Sequence, residues 1–199
     1  EALNVAAEQP MGPVHLNVPL RVPLYNQLPK PSDSVRVVKN ISSPAHLSPD
    51  LREQLAIRWN SCAKKMIVCG FDAGDEARSK SLALLSANPS VVVVAENLSN
   101  LHGEMVIASP ERFFASLSTA EEKAFKPDLL ITVGHSVVSG RLKKYLRQHS
   151  PAEHWHMQIS PNYTDTFQCL TQTIVTSPGQ ALRWLVEMDS APDSNYRDM

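Results

Sequence analysis

Residues 129–159, LLITVGHSVVSGRLKKYLRQHSPAEHWHMQI, decide the fold. Leu129–Val133 is an apolar run closed by Gly134, the form of a strand covered on both faces. Leu142, Tyr145, Leu146 and His149 then recur at helical spacing on one face. Trp155–Ile159 follows as the next strand. Strand, turn, helix and strand in about thirty residues is a βαβ unit, which implies parallel strands.

The same alternation extends outward. Met66–Cys69 before Gly70, and the β-branched Val91–Val94, are further core strands. Val35–Lys39 and Thr173–Val175 read as two more. Helices fall between them. Ser48-Pro49 and Ser177-Pro178 have the N-cap and N1 chemistry. Leu51, Leu55, Trp59 and Cys62 form one apolar stripe, and Ala181, Leu182, Leu185 and Met188 another. Glu76–Ala87 suits a helix, Ser109-Pro110-Glu111 opens one, and Thr119 with Glu122 has capping-box spacing. The expected fold is α/β: a Rossmann-like, doubly wound, mostly parallel sheet of about five or six strands with helices on both faces.

Before this body, Gly12-Pro13-Val14-His15-Leu16-Asn17-Val18-Pro19-Leu20-Arg21-Val22-Pro23-Leu24-Tyr25 alternates apolar and polar residues over Val14–Val18, then stiffens into a proline-rich arm. It reads as the last strand of one domain leaving for the next. We therefore expect residues 1–34 to be the tail of a preceding domain plus a linker, 35–188 the central domain, and 189–199 the start of another linker. A first residue that is Glu1 and not methionine fits the expectation of an excised piece.

Composition narrows function. At 199 residues and 43% hydrophobic the chain can bury one good core. A net charge of -1 with scattered cations argues against nucleic acid or an anionic membrane as partner. Val91–Ala95 is the longest apolar run, far short of the ~20 residues that span a bilayer. Three cysteines without CxxC spacing agree with a reducing, cytoplasmic setting.

Three stretches carry residues of the kind that build sites. Gly70-Phe71-Asp72-Ala73-Gly74-Asp75-Glu76 has glycines after a strand but not G-x-G-x-x-G, and its carboxylates would repel a pyrophosphate. Gly134–Arg141 lies at a strand's carboxyl end, so His135, Ser136, Ser139 and Arg141 are the candidate anion or regulatory site. The plainer reading makes Ser139 a helix cap and Arg141 a solvated cation. His154 and His156 share one face of a strand, but two ligands do not make a metal site, and strand-edge packing is the expectation. No G-x-S-x-G elbow occurs. No catalytic or metal residue is assigned.

Two stretches carry a resemblance. Residues 12–25 are similar to the strand and arm that close the pyrimidine-binding domain in thiamine-diphosphate-dependent enzymes. The fuller form most resembles the 2-succinyl-5-enolpyruvyl-6-hydroxy-3-cyclohexene-1-carboxylate synthases of menaquinone biosynthesis. Residues 129–159, with Pro151-x-Glu153-x-Trp155, resemble that family's strand, Gly-Ser turn, helix and strand. Together the stretches cover under a quarter of the chain.

The resemblance implies a middle domain that spaces two cofactor-binding domains. The parent enzyme would decarboxylate 2-oxoglutarate on thiamine diphosphate with Mg²⁺ or Mn²⁺, add the carbanion to isochorismate, and assemble as a homodimer or tetramer. The family's metal motif, Gly-Asp-Gly, is missing, since Gly74-Asp75 leads into Glu76. The activating glutamate belongs to the preceding domain. The fragment alone is therefore expected to be inert and to hold no cofactor. A stand-alone Rossmann-type ligand-binding module, or the central domain of an acetolactate synthase-like enzyme, stays open as the alternative.

Overall fold

Strands Lys65–Cys69 (β2), Val91–Ala95 (β3) and Leu129–Val133 (β5) are buried along their whole lengths, because helices cover both sides of the sheet they form. The computed structural model describes residues 2, 14–18, 39–42 (backbone only), 48–158, 165–189 and 194–199. The remaining elements in chain order are β1 (Lys39–Ser42), α1 (Pro49–Ser61), α2 (Glu76–Ala87), β4 (Val106–Ile107), α3 (Pro110–Ser116), α4 (Thr119–Ala124), α5 (Gly140–Gln148), β6 (Glu153–Gln158), β7 (Gln172–Val175) and α6 (Pro178–Met188).

The sheet runs β1-β7-β6-β5-β2-β3-β4, and every pairing is parallel. Apart from β1 at the edge, this is the doubly wound strand order, with its topological switch between β2 and β5. The sequence led us to expect five or six strands; among the described residues there are seven. The addition is β4, whose two residues pair with Val93 and Val94. Of the expected Val35–Lys39 strand, Lys39 opens β1, which runs on to Ser42, and residues 35–38 lie outside the described residues. So does the expected helix over residues 1–9, apart from residue 2.

Alternation along each strand sorts side chains into two cores. Ile67, Cys69, Val91, Val93, Leu129 and Ile131 face one way, against Leu55 and Trp59 of α1, Leu82 and Leu85 of α2, and Leu182 and Leu185 of α6. Met66, Val68, Val92, Val94 and Leu130 face the other, against Phe114 of α3, Leu142, Tyr145 and Leu146 of α5, and Phe125. Ser48, Asp75, Ser139 and Ser177 cap their helices by accepting from backbone N–H groups. The capping box lies one residue earlier than expected. Ser118 accepts from Glu121 N, and Glu121 Oε2 takes Ser118 N at 2.7 Å.

Residues 14–18 form no strand. Leu16 and Val18 are 70% exposed, so the alternating pattern has no sheet here to enter. The other end departs from the linker expectation. Tyr196 is fully buried, its hydroxyl donates to Phe125 O at 2.7 Å, and its ring lies 5.0 Å from that of Phe125. Arg197 N donates to Pro89 O at 2.7 Å, and Asp189 accepts from Trp59 Nε1 at 3.0 Å. The polar tail is pinned to the body by one aromatic anchor. No helix among the described residues is long and apolar enough to cross a membrane.

Replacing Tyr196 by alanine should cost about 3–5 kcal/mol, the scale for deleting a buried aromatic. Tyr196→Phe should cost about 1–2 kcal/mol, for one hydrogen bond and a stranded carbonyl. Urea unfolding midpoints measure both; two unchanged midpoints would mean that the tail is dispensable.

Candidate functional site

At the switch point the loops leaving β2 and β5 touch through their backbones. A Cβ on Gly70 would lie 2.3 Å from His135 O and 2.9 Å from Ser136 O, so only glycine fits. Phe71 N donates to Ser136 O and His135 N to Phe71 O, each at 3.0 Å. Gly134, at φ +85°, turns the second loop into this contact. Gly74, at φ +65°, packs where a Cβ would meet Asn100 O at 2.4 Å. The glycines are thus used for loop-on-loop contact.

Beside this seam lies a crevice of about 340 Å³ lined by Asp72, Arg78, Gly134, His135, Gln158 and Arg183. Its carboxylates are engaged. Arg78 Nη1 meets Asp72 Oδ2 at 2.5 Å, and its Nε meets Asp75 Oδ2 at 2.9 Å. Asp75 also accepts from Arg78 N at 2.7 Å, and that backbone bond, followed by the side-chain bond, holds its carboxyl below the usual range. Arg78 thus pairs with both aspartates at the crevice wall.

The four candidate residues are divided by the structure. His135 lines the crevice, and Ser136 contributes its carbonyl to the seam. Ser139 and Arg141 belong to the start of α5, whose N–H groups meet the chain's own carboxylates. Glu96 accepts from Val138 N at 2.7 Å and Ser139 N at 2.6 Å. Glu111 accepts from Ser139 Oγ at 2.9 Å and Arg141 N at 3.1 Å. The Arg141 backbone bond, with Ser139 next, depresses the Glu111 carboxyl. Glu96 and Glu111 come from 43 and 28 residues away, and no local pattern marks them. Ser139 also caps α5 through Leu142 N at 3.2 Å.

His154 and His156 are buried, not at a strand edge: β6 lies between β5 and β7, and both rings reach Thr132 Oγ1. Among the described residues no group of three or more His, Cys, Asp or Glu side chains is placed to hold a metal ion. The three cysteines are free thiols, and burial pushes Cys69 up to about 12, which makes it inert at neutral pH.

Fold and site define a Rossmann-like domain whose switch point is closed by its own backbone and charges. No protein-family profile matches the chain. It is 33% identical over 186 residues to the 2-succinyl-5-enolpyruvyl-6-hydroxy-3-cyclohexene-1-carboxylate synthase of Christiangramia forsetii, covering 86% of this chain and 30% of that enzyme. The Desulfotalea psychrophila synthase of the same name is 29% identical over 200 residues, covering 100% of this chain and 37% of its own. A solved thiamine diphosphate-dependent 4-hydroxybenzoylformate decarboxylase from Rhodococcus jostii overlaps 78% of this chain and 30% of its own at 19% identity and a TM-score of 0.41. The chain spans about a third of the length of the curated relatives it matches. By sequence it belongs with the middle domain of these synthases.

Glu96→Ala should cost about 1–3 kcal/mol, because two N–H groups at a helix start lose their acceptor. Glu76→Ala, which removes an exposed pair with Lys80 at 2.7 Å, should cost at most about 0.5 kcal/mol. Chemical denaturation of both variants separates them; equal losses would mean that Glu96 is merely another surface charge.

Proposed function

We propose that the chain is the spacing domain of a thiamine-diphosphate-dependent synthase that decarboxylates 2-oxoglutarate and adds the resulting carbanion to isochorismate in menaquinone biosynthesis. The observation that carries this reading is the match of nearly the whole chain to about a third of each relative's length. Flanking domains of the same polypeptide would hold the diphosphate through Mg²⁺ or Mn²⁺ and supply the catalytic groups. The full enzyme would be a cytoplasmic homodimer or tetramer.

The residues at the switch point do not fit the cofactor. Its diphosphate needs a cation held by oxygen ligands, and Asp72 and Asp75 are committed to Arg78. A bare diphosphate needs free N–H groups at a helix start, and at the α5 start Glu96 holds Ser139 N, Glu111 holds Arg141 N and Ser139 Oγ holds Leu142 N. On this reading the described residues of the chain take no chemical step. Its own work is to present a fixed α/β body between the domains that react. The exposed segment 14–18, with Leu16 and Val18 turned to solvent, supports this, since a strand pattern without a sheet suits a neighbour that supplies one.

The isolated chain should unfold cooperatively, show no change in Tm with millimolar thiamine diphosphate and Mg²⁺, and release no CO₂ from 2-oxoglutarate. A saturable rise in Tm would overturn the reading. So would a parent reading frame lacking a glutamate-bearing domain before this segment and a Gly-Asp-Gly segment after it.

A further inference from the structure

Strand register sets Thr132, His156 and Thr173 side by side across β5, β6 and β7. Thr132 Oγ1 lies 2.7 Å from His156 Nδ1 and 2.9 Å from His154 Nε2. His154 Nδ1 faces Cys169 Sγ at 3.7 Å, and the Phe167 ring stands edge-on at 5.7 Å. The His154 main chain accepts from Thr171 N at 3.0 Å and from Thr171 Oγ1 at 2.9 Å. The loop over residues 165–171 therefore rests on His154. Both imidazoles are buried, at 1% and 7% exposure. His156 also bonds Gln158, a wall of the crevice.

One hydroxyl between two imidazoles has a limited capacity for protons. Threonine carries one proton and two lone pairs. Between neutral rings it donates to one and accepts from the other. With one ring charged, that ring donates and the hydroxyl turns to its neighbour. With both charged, two N–H donors meet one oxygen and the hydroxyl proton loses its acceptor. Two positive charges then stand two hydrogen-bond lengths apart, away from water.

We propose that His154, Thr132 and His156 form a pH-sensitive latch, closed while at least one ring is neutral, that releases residues 165–171 when both are protonated. Among the described residues, the groups facing it are these. The loop brings Cys169 and Asp165, whose carboxylate accepts from Cys169 N at 3.0 Å and Leu170 N at 3.1 Å. The loop after β5 brings His135, whose charge opposes that of His156. Helix α5 brings Arg147, which donates to Thr166 O at 2.8 Å. The 165–171 loop also brings Thr171, and strand β7 brings Thr173, whose Oγ1 has no hydrogen-bond partner among the described residues. Burial, the largest cause, lowers His156 below the ordinary imidazole value. The opened loop therefore binds the proton more readily, so protection is complete above about pH 6.5 and fades as pH falls below it.

Hydrogen exchange on the full chain at pH 7.5 and pH 5, corrected for intrinsic rates, tests the latch. Protection over 165–171 should fall at pH 5, by at most about tenfold for each unit by which the His156 imidazole is depressed, with Met66–Cys69 unchanged. The double variant His154→Gln, His156→Asn keeps an amide near each bonding nitrogen but cannot titrate, and its loop should change less than about twofold. The proposal fails if the wild-type loop does not respond, if the whole sheet loosens with it, or if the double variant responds equally. Should that variant not fold, NMR titration of the wild-type imidazole C2 protons decides. A His156 midpoint below the ordinary value of about 6.5, coincident with loop opening, supports the latch, and one at or above it refutes the latch.

Discussion

Gly70 gives up its side-chain space to the carbonyl oxygens of His135 and Ser136, and the character of the switch point follows from that contact. In a doubly wound sheet the loops leaving the two central strands normally diverge, and the gap between them takes a ligand. Here two backbone hydrogen bonds sew Phe71 to His135 and Ser136. Beside the seam a crevice lies between the β5 loop and the start of α6, which includes Gly179. A glycine after a strand thus has two possible uses, close approach to a phosphate or close approach to another loop. The second occurs here.

Electrostatics completes the closure. A helix start is an anion site only while its N–H groups are free; here Glu96 takes Val138 N and Ser139 N just before α5, Glu111 takes Arg141 N, and Ser139 Oγ takes Leu142 N. The buried carboxylate matters more than the exposed one. Glu96 is 5% exposed and satisfies two donors out of water, whereas the exposed pair between Arg141 and Glu111, at 3.8 Å, is worth little in high dielectric. Arg78 with Asp72 and Asp75 does the same for the loop after β2. Both loops at the switch point thus meet the chain's own charged groups.

Legibility in the sequence followed the range of the interactions. Val91–Val94 and Leu129–Val133 announce doubly covered strands because the signal is contiguous. Ser48-Pro49 and Ser177-Pro178 announce helix starts because a cap acts within three residues. Val106–Ile107 was invisible, since two residues carry no period and the strand exists only because Val93 and Val94 offer it an edge. Tyr196 reads as linker because its neighbours are polar, while the site that buries it is built by Phe125, 71 residues away. For the same reason Ser139 and Arg141 look available in sequence, although distant glutamates already hold that helix start.

Calorimetric titration of inorganic pyrophosphate into the folded chain addresses the closed switch point most directly. The account predicts no saturable heat at millimolar ligand. Micromolar binding that disappears in Gly70→Ala would show an open phosphate cradle where we describe a seam.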